Sequence, residues 1–183
     1  MRPAFAVWIT GRPASGKSTV REALVREMAA RGVDVAVLDS DALRLILTPR
    51  PTYSEDERET FYGAMAYIGS LLVQHGVPVI FDATAHRRRY RAGARAAIGR
   101  FIEVYVDCPL DICMARDPKG IYRKAQTGEA TSVPGLQVPY EPPESADLVV
   151  PGYGTSPEES ARAILRVLEG RGCVQRQPLP ATP

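Results

Sequence analysis

The stretch GRPASGKST, Gly11 to Thr19, limits what this chain can fold into more than any other feature. It fits the pattern G-x-x-x-x-G-K-[ST], with Gly11, Gly16, Lys17 and Ser18 at the fixed positions. Such a loop works only when a buried strand delivers it and a helix starts where it ends. Backbone amides then converge on one anion, and the helix N-terminus adds positive potential. Both flanks comply here. The apolar run AFAVWIT (Ala4 to Thr10) precedes the loop, and Val20, Leu24 and Met28 recur behind it on one helical face. Gly11, Arg12, Pro13, Ala14, Ser15, Gly16, Lys17, Ser18 and Thr19 therefore form a candidate cradle for nucleotide phosphates. Lys17 would neutralise β/γ charge, and the Ser18 hydroxyl would be available to Mg²⁺.

Four further apolar runs follow: VDVAVL (Val33 to Leu38), VPVIF (Val77 to Phe81), FIEVYV (Phe101 to Val106) and DLVV (Asp147 to Val150). They lack polar alternation, as strands buried on both faces of a parallel sheet do. Amphipathic segments separate them. After Glu55, the residues Phe61, Met65, Ile68 and Leu72 form one stripe, and SPEE at Ser156 to Glu159 reads as a capping box with proline at the first helical position. Alternating strand and helix predicts a three-layer α/β domain of about five parallel strands, with ligands outside the strands' carboxyl ends. The domain is expected to span residues 1–171 of the 183, and the aperiodic, proline-rich 172–183 to form a flexible tail.

A net charge of +2 makes the whole molecule a poor electrostatic match for nucleic acid, although basic residues crowd between Arg87 and Arg100. That run reads as a solvated helix face, with a binding patch for a polynucleotide end as the alternative. Cys108, Cys113 and Cys173 form no CxxC pair and read as reduced thiols. No apolar run approaches membrane-spanning length, and the N-terminus carries no charged leader, so a cytoplasmic protein is expected.

Transfer of a phosphoryl group to a hydroxyl needs positioning, charge neutralisation and often a carboxylate that accepts the hydroxyl proton. The second strand ends in DSDALR, with Asp39, Asp41 and Arg44, and the third in FDAT, with Asp82 and Thr84. Asp41 is the candidate proton acceptor. Asp39 or Asp82 would support a metal and its waters, although a helix N-cap is the ordinary role for an aspartate placed like Asp41. A planar guanidinium at Arg44, and another at Arg58, would suit phosphate or sulfate. The segment ARDPKGIYRKAQTG (Ala115 to Gly128) is broken by Pro118 and Gly120 yet rich in cations, as expected of a mobile cover that closes on an anion.

Taken together, GRPASGKST, VLDSDALR, YSEDER, FIEVYVDCPLDICMARDPKGIYRKA and VPYEPPE resemble the adenylylsulfate kinase family over about Phe5 to Val150. The resemblance implies a P-loop nucleoside-triphosphate kinase fold with a lid at about 116–140. It also implies MgATP as phosphoryl donor, and phosphorylation of the 3′-hydroxyl of adenosine 5′-phosphosulfate. It places Arg116 on the ATP adenine and Lys119 on phosphates. It puts Arg44, Tyr53, Arg58 and Lys124 on the substrate side and Asp41 and Thr84 among the catalytic residues; from the loop motif and the strand ends themselves, Asp39 joins the substrate side, and Ser18 and Asp82 are the candidates at the metal. The resemblance further implies a homodimer and no membrane partner.

Several positions depart from the family pattern. Phe61 takes the place of an asparagine, Gly63 and Ala64 replace an arginine pair, and Val133 replaces the phenylalanine that clamps the second face of the substrate adenine. Thr84 falls on the serine that the family's I-S-P-Y-R segment carries as a phosphorylated active-site residue. A kinase acting on another small hydroxyl compound and a nucleotide sensor without turnover are the remaining alternatives.

Overall fold

In the computed structural model, which describes residues 4–175, five strands form one parallel sheet in the order β2-β3-β1-β4-β5. The strands are β1 (Ala6–Thr10), β2 (Ala36–Asp39), β3 (Val79–Asp82), β4 (Phe101–Asp107) and β5 (Leu148–Pro151). The helices are α1 (Lys17–Ala29), α2 (Ser40–Leu47), α3 (Glu55–Gln74), α4 (Arg88–Ala97), α5 (Leu110–Arg116), α6 (Ile121–Gln126) and α7 (Pro157–Gly170). The five expected strands are all present. The three inner ones are buried on both faces, whereas the edge strands β2 and β5 are only partly covered.

Alternation along β1 divides the core. Val7 and Ile9 join Val20, Leu24 and Met28 of α1 and Ile164, Leu165 and Leu168 of α7 on one face. Ala6 and Trp8 join Phe61 and Met65 of α3 and Tyr90 and Ala94 of α4 on the other, with Trp8 stacked on Phe81 at 4.5 Å. Each large buried side chain contributes roughly 1.5–3 kcal/mol of hydrophobic stabilisation, so these stripes fix which way each helix faces. Ser156 accepts from the Glu159 amide at 3.2 Å, and the Glu159 carboxylate accepts from the Ser156 amide at 3.0 Å; the expected capping box starts α7.

Two expectations change. The packed chain runs past Gly172, since Cys173 and Val174 are buried beneath α7 in the first core, while residues 176–183 lie outside the described residues. The basic run is in part the expected solvated face, with Arg88, Arg89, Arg95 and Arg100 exposed, but Arg91 is a buried exception and the paired charges make no open patch. Arg91 is 2% exposed and donates to the Glu103 carboxylate at 2.6 Å, to the Glu141 carbonyl at 2.9 Å and to the Ala85 carbonyl. Arg95 bridges Glu103 and Asp147, and Arg87, Arg88 and Arg89 pair with Glu55, Glu59, Glu141 and Glu144. Arg87, Arg88, Arg89, Arg91 and Arg95 are thus engaged with acidic partners from other segments, while Arg100 donates to the Gly172 carbonyl at 3.4 Å, which weakens the charge basis for a polynucleotide site.

β1 lies between β3 and β4: the chain leaves β1 past β3 to the edge strand β2, whereas from β3 it crosses over β1 to β4, so the connections leaving β1 and β3 run in opposite directions across the sheet. A crevice opens at such a point beyond the carboxyl ends of the strands. There β1 delivers the glycine-rich loop.

Candidate active site

A cavity of about 480 Å³ occupies that crevice. Pro13 to Val20 line its floor, Asp39, Ser40, Asp41, Asp82 and Thr84 one wall, and Arg116 to Lys119 with Ile121 the roof. Pro151, Gly152, Thr155, Pro157 and Ser160 complete it, a wall that the sequence reading missed although PGYG directly after the last strand signals a turn there.

The loop has the shape the motif requires. Gly16 sits at φ 102°, a left-handed conformation open to glycine, and a Cβ at Gly11 would come within 2.7 Å of the Val106 carbonyl. Lys17 Nζ donates to the Gly11 and Arg12 carbonyls at 3.1 and 2.8 Å. Burial pulls its pKa below the ordinary lysine value, against the opposing pull of Asp82 and Asp41. The buried Ser15 Oγ has no partner among the described residues. A lysine bonded to its own loop and an orphaned hydroxyl are groups that an arriving anion would satisfy. Ser18 is half-buried and Thr19 exposed on the same floor. Gly11 and Arg12 do not line the cavity, and Arg12 turns its side chain to the Cys108 carbonyl at 3.0 Å and the Tyr140 ring at 5.6 Å.

The three carboxylates play different local roles. Asp39, rather than Asp41, caps α2, accepting from the Asp41 and Ala42 amides at 2.8 and 3.2 Å. Asp82 faces Asp39 in the parallel register of β2 and β3 and is 4% exposed. Arg21, not singled out from the sequence, lies between them, 3.6 Å from Asp39 and 3.4 Å from Asp82. Asp41 is left free of the α2 cap, its side chain 65% exposed, and pairs with Lys119 from the roof. That pairing raises the Lys119 pKa above its ordinary value.

The roof is more regular than its sequence suggests. Pro118 and Gly120 separate two short helices, α5 and α6, and the Asp117 carboxylate accepts from the Tyr122 and Arg123 amides at 3.2 and 2.9 Å to cap the second. Tyr122 is buried with Cys108, Cys113 and Val133, and its hydroxyl donates to the Pro13 carbonyl at 3.0 Å, so α6 rests on the phosphate loop. Arg116 donates to the Gly152 carbonyl at 2.7 Å across the cavity mouth. Lys124 is exposed, does not line the cavity, and its side chain has no ion pair among the described residues. All three cysteines are free and buried, and burial pushes the Cys113 thiol up to about 12, which suits an inert core thiol.

Arg44, Tyr53 and Arg58 also stay out of the cavity, contrary to the expectation that Arg44 points into the cleft beside Asp41. They form a second cluster. The Arg44 guanidinium carbon lies 5.0 Å from the Tyr53 ring centre and 3.9 Å from that of Phe61, and the Arg58 carbon lies 5.5 Å from Tyr53. Arg58 is buried and holds three segments together through the Tyr53 carbonyl at 2.9 Å, His86 Nδ1 at 3.0 Å and the Ser132 carbonyl at 2.7 Å. Burial and then Arg58 push the His86 pKa down to about 4, so its ring is neutral near pH 7 and can accept from the guanidinium. Val133, next to Ser132, packs into the roof's own core.

A model of the adenylylsulphate kinase family matches residues 3–151. An adenylyl-sulfate kinase of Microcystis aeruginosa (strain NIES-843 / IAM M-2473) is 38% identical over 163 residues, 89% of this chain and 84% of that protein. An adenylyl-sulfate kinase of Synechococcus sp. (strain JA-2-3B'a(2-13)) is 37% identical over 173 residues, 94% of this chain and 99% of that one. Among solved structures, the APS kinase CysC of Mycobacterium tuberculosis, in complex with AMPPNP and APS, matches with a TM-score of 0.87 at 34% identity, covering 92% of this chain and 99% of that chain. The family match runs from the first strand through the phosphate loop and the roof to the last strand, and by it this chain belongs to the adenylylsulphate kinase family.

Proposed function

We propose that the protein transfers the γ-phosphoryl group of ATP to the 3′-hydroxyl of adenosine 5′-phosphosulfate, giving 3′-phosphoadenosine 5′-phosphosulfate and ADP. The observation that carries this reading is the convergence of Lys17, Asp41 and Lys119 on one cavity beside a carboxylate-lined wall. Gly11 to Thr19 and Lys119 bind the triphosphate, and Arg116 covers the ATP base. Asp41 accepts the hydroxyl proton as the new P–O bond forms and the bond to the ADP oxygen breaks; Thr84 lines the same cavity. Arg44, Tyr53 and Arg58, with Asp39 on the cavity wall and Lys124 on α6, receive the acceptor.

Mg²⁺ fits a wall whose donors are all hard oxygens. No group of three or more His, Cys, Asp or Glu among the described residues could hold a metal alone, which agrees with an ion bound chiefly through nucleotide phosphates and water. Ser18 and Asp82 would hold it, and it would neutralise charge between the β and γ phosphates. The working unit is one domain that runs past the expected boundary at 171 to at least Val174, with a lid at about 116–140. No helix among the described residues is long and apolar enough to cross a membrane, in keeping with a cytoplasmic enzyme. Leu45 and Ile46, 78% and 76% exposed on α2, supply apolar surface of the kind a homodimer would cover.

The test is ADP release from MgATP across a panel of adenosine 5′-phosphosulfate, AMP, nucleosides, sugars and hydroxy amino acids. Strong stimulation by adenosine 5′-phosphosulfate is expected. Its absence, with stimulation by another compound, would transfer the acceptor site to that compound.

Lid closure has its own signature. Amides between 117 and 138 should gain protection from hydrogen exchange when a non-hydrolysable ATP analogue is added, because Lys119 and Arg116 then acquire an anion and a base to hold. Exchange rates that ignore nucleotide and acceptor alike would rule the lid role out.

A further inference from the structure

Arg44 is held in place by aromatic rings. Its guanidinium carbon lies 3.9 Å from the Phe61 ring centre, 5.0 Å from that of Tyr53 and 5.8 Å from that of Tyr62. Nη1 donates to Glu57 Oε1 at 3.3 Å and Thr48 Oγ1 at 3.4 Å, while Nε and Nη2 have no partner among the described residues. Glu57 is itself fixed, accepting from the Thr52 amide at 2.6 Å, the Thr52 hydroxyl at 2.7 Å and the Tyr53 amide at 3.2 Å. One edge of the guanidinium is thus tied down and the other edge left open.

Phe61 is 2% exposed on the apolar stripe of α3 and meets Tyr62 edge-on at 5.3 Å. For the core alone, any apolar side chain of similar size would serve at that position. An aromatic face adds a surface on which a cation docks flat, and such contacts strengthen where water is excluded. The arginine side chain otherwise retains rotamer freedom that binding would have to remove.

We propose that Phe61 is a positioning residue for the phosphoryl acceptor: its ring holds the Arg44 guanidinium so that the open Nε–Nη2 edge is presented to the acceptor's sulfate or phosphate oxygens. A planar fork of donors matches two oxyanion oxygens, and the match is lost when the fork swings. The proposal rests on the reading of Arg44 as an acceptor-binding residue, and it turns a departure from the family pattern into a compensating contact.

The experiment compares Phe61→Leu, which keeps an apolar side chain but removes the ring, with Phe61→Tyr, which keeps the ring. KM is measured for adenosine 5′-phosphosulfate at saturating ATP and for ATP at saturating acceptor. Phe61→Leu is expected to raise the acceptor KM about tenfold, with kcat and the ATP KM little changed, and Phe61→Tyr to stay near the parent. A general loosening of the core would instead move both KM values and kcat together and lower the melting temperature. In an Arg44→Ala background, Phe61→Leu should add nothing, because the group it orients is gone. If Arg44→Ala leaves the acceptor KM unchanged, the reading of Arg44 is wrong. If Arg44→Ala raises it and Phe61→Leu does not, or if the two effects add in full, the positioning role is overturned.

Discussion

Asp41→Asn is expected to lower kcat by about 10²- to 10⁴-fold, the usual contribution of a positioned general base, while the KM for ATP changes little. Of the three carboxylates on the wall, Asp41 alone is available for the task. Asp39 is engaged by two amides of α2 and lies near Arg21, and Asp82 is buried beside the same arginine. Asp41 has Lys119 as its sole side-chain partner among the described residues. Asparagine keeps the shape and can still orient a hydroxyl, but it cannot take the proton. The substitution also removes the ion pair to the lid, so Lys119→Ala is the necessary companion. If the pair mattered only for holding the lid, both variants would lose the same activity through the same parameter. The expectation is different: Lys119→Ala raises the KM for ATP, and Asp41→Asn depresses turnover at saturation of both substrates. A folded Asp41→Asn enzyme keeping most of its kcat would end the assignment.

The second large effect concerns stability. Arg91→Ala should destabilise the fold by about 3–5 kcal/mol, the range for removing one partner of a buried ion pair. Glu103 would stay buried against a single, half-exposed Arg95, and the Ala85 and Glu141 carbonyls would lose their donor. For a chain of this size such a loss lowers the melting temperature by roughly 6–20 °C. Thermal unfolding followed by circular dichroism reads it directly. Replacing both members of the pair, Arg91→Met with Glu103→Leu, should recover part of the loss, because no uncompensated charge is then buried. Equal melting temperatures for Arg91→Ala and the parent would show that water already satisfies Glu103.

The features that could be read from the sequence were those set by local pattern. The strand–loop–helix around Gly11 to Thr19, the stripe through Phe61 and Met65 and the capping box at Ser156 each depend on residues within a few positions of one another, and each appears as expected. What escaped was decided by partners distant in the chain. Nothing in the Arg87 to Arg100 run distinguishes Arg91 from its neighbours, since the groups that bury it, Glu103 and Glu141, lie 12 and 50 residues away. The helix cap, the alternative role for Asp41, falls to Asp39 because of how β2 turns into α2. Phe61 read as a core residue that had displaced a polar one. Its second role became visible only when α2 laid Arg44 across its ring.

The two ends of the lid are set differently from its middle. α5 begins at the end of β4, where Arg12 reaches back to the Cys108 carbonyl. At the other end, Glu141 is gripped by Arg87 and by the Arg88 amide, and its carbonyl by Arg91. Both anchor points are held by the sheet or its helices, so the 32 residues between them, 109–140, form a span fixed at its two ends. Tyr122, seated on the Pro13 carbonyl, pins the middle of that span to the phosphate loop, so a change at this one buried ring would reach the donor site from a distance.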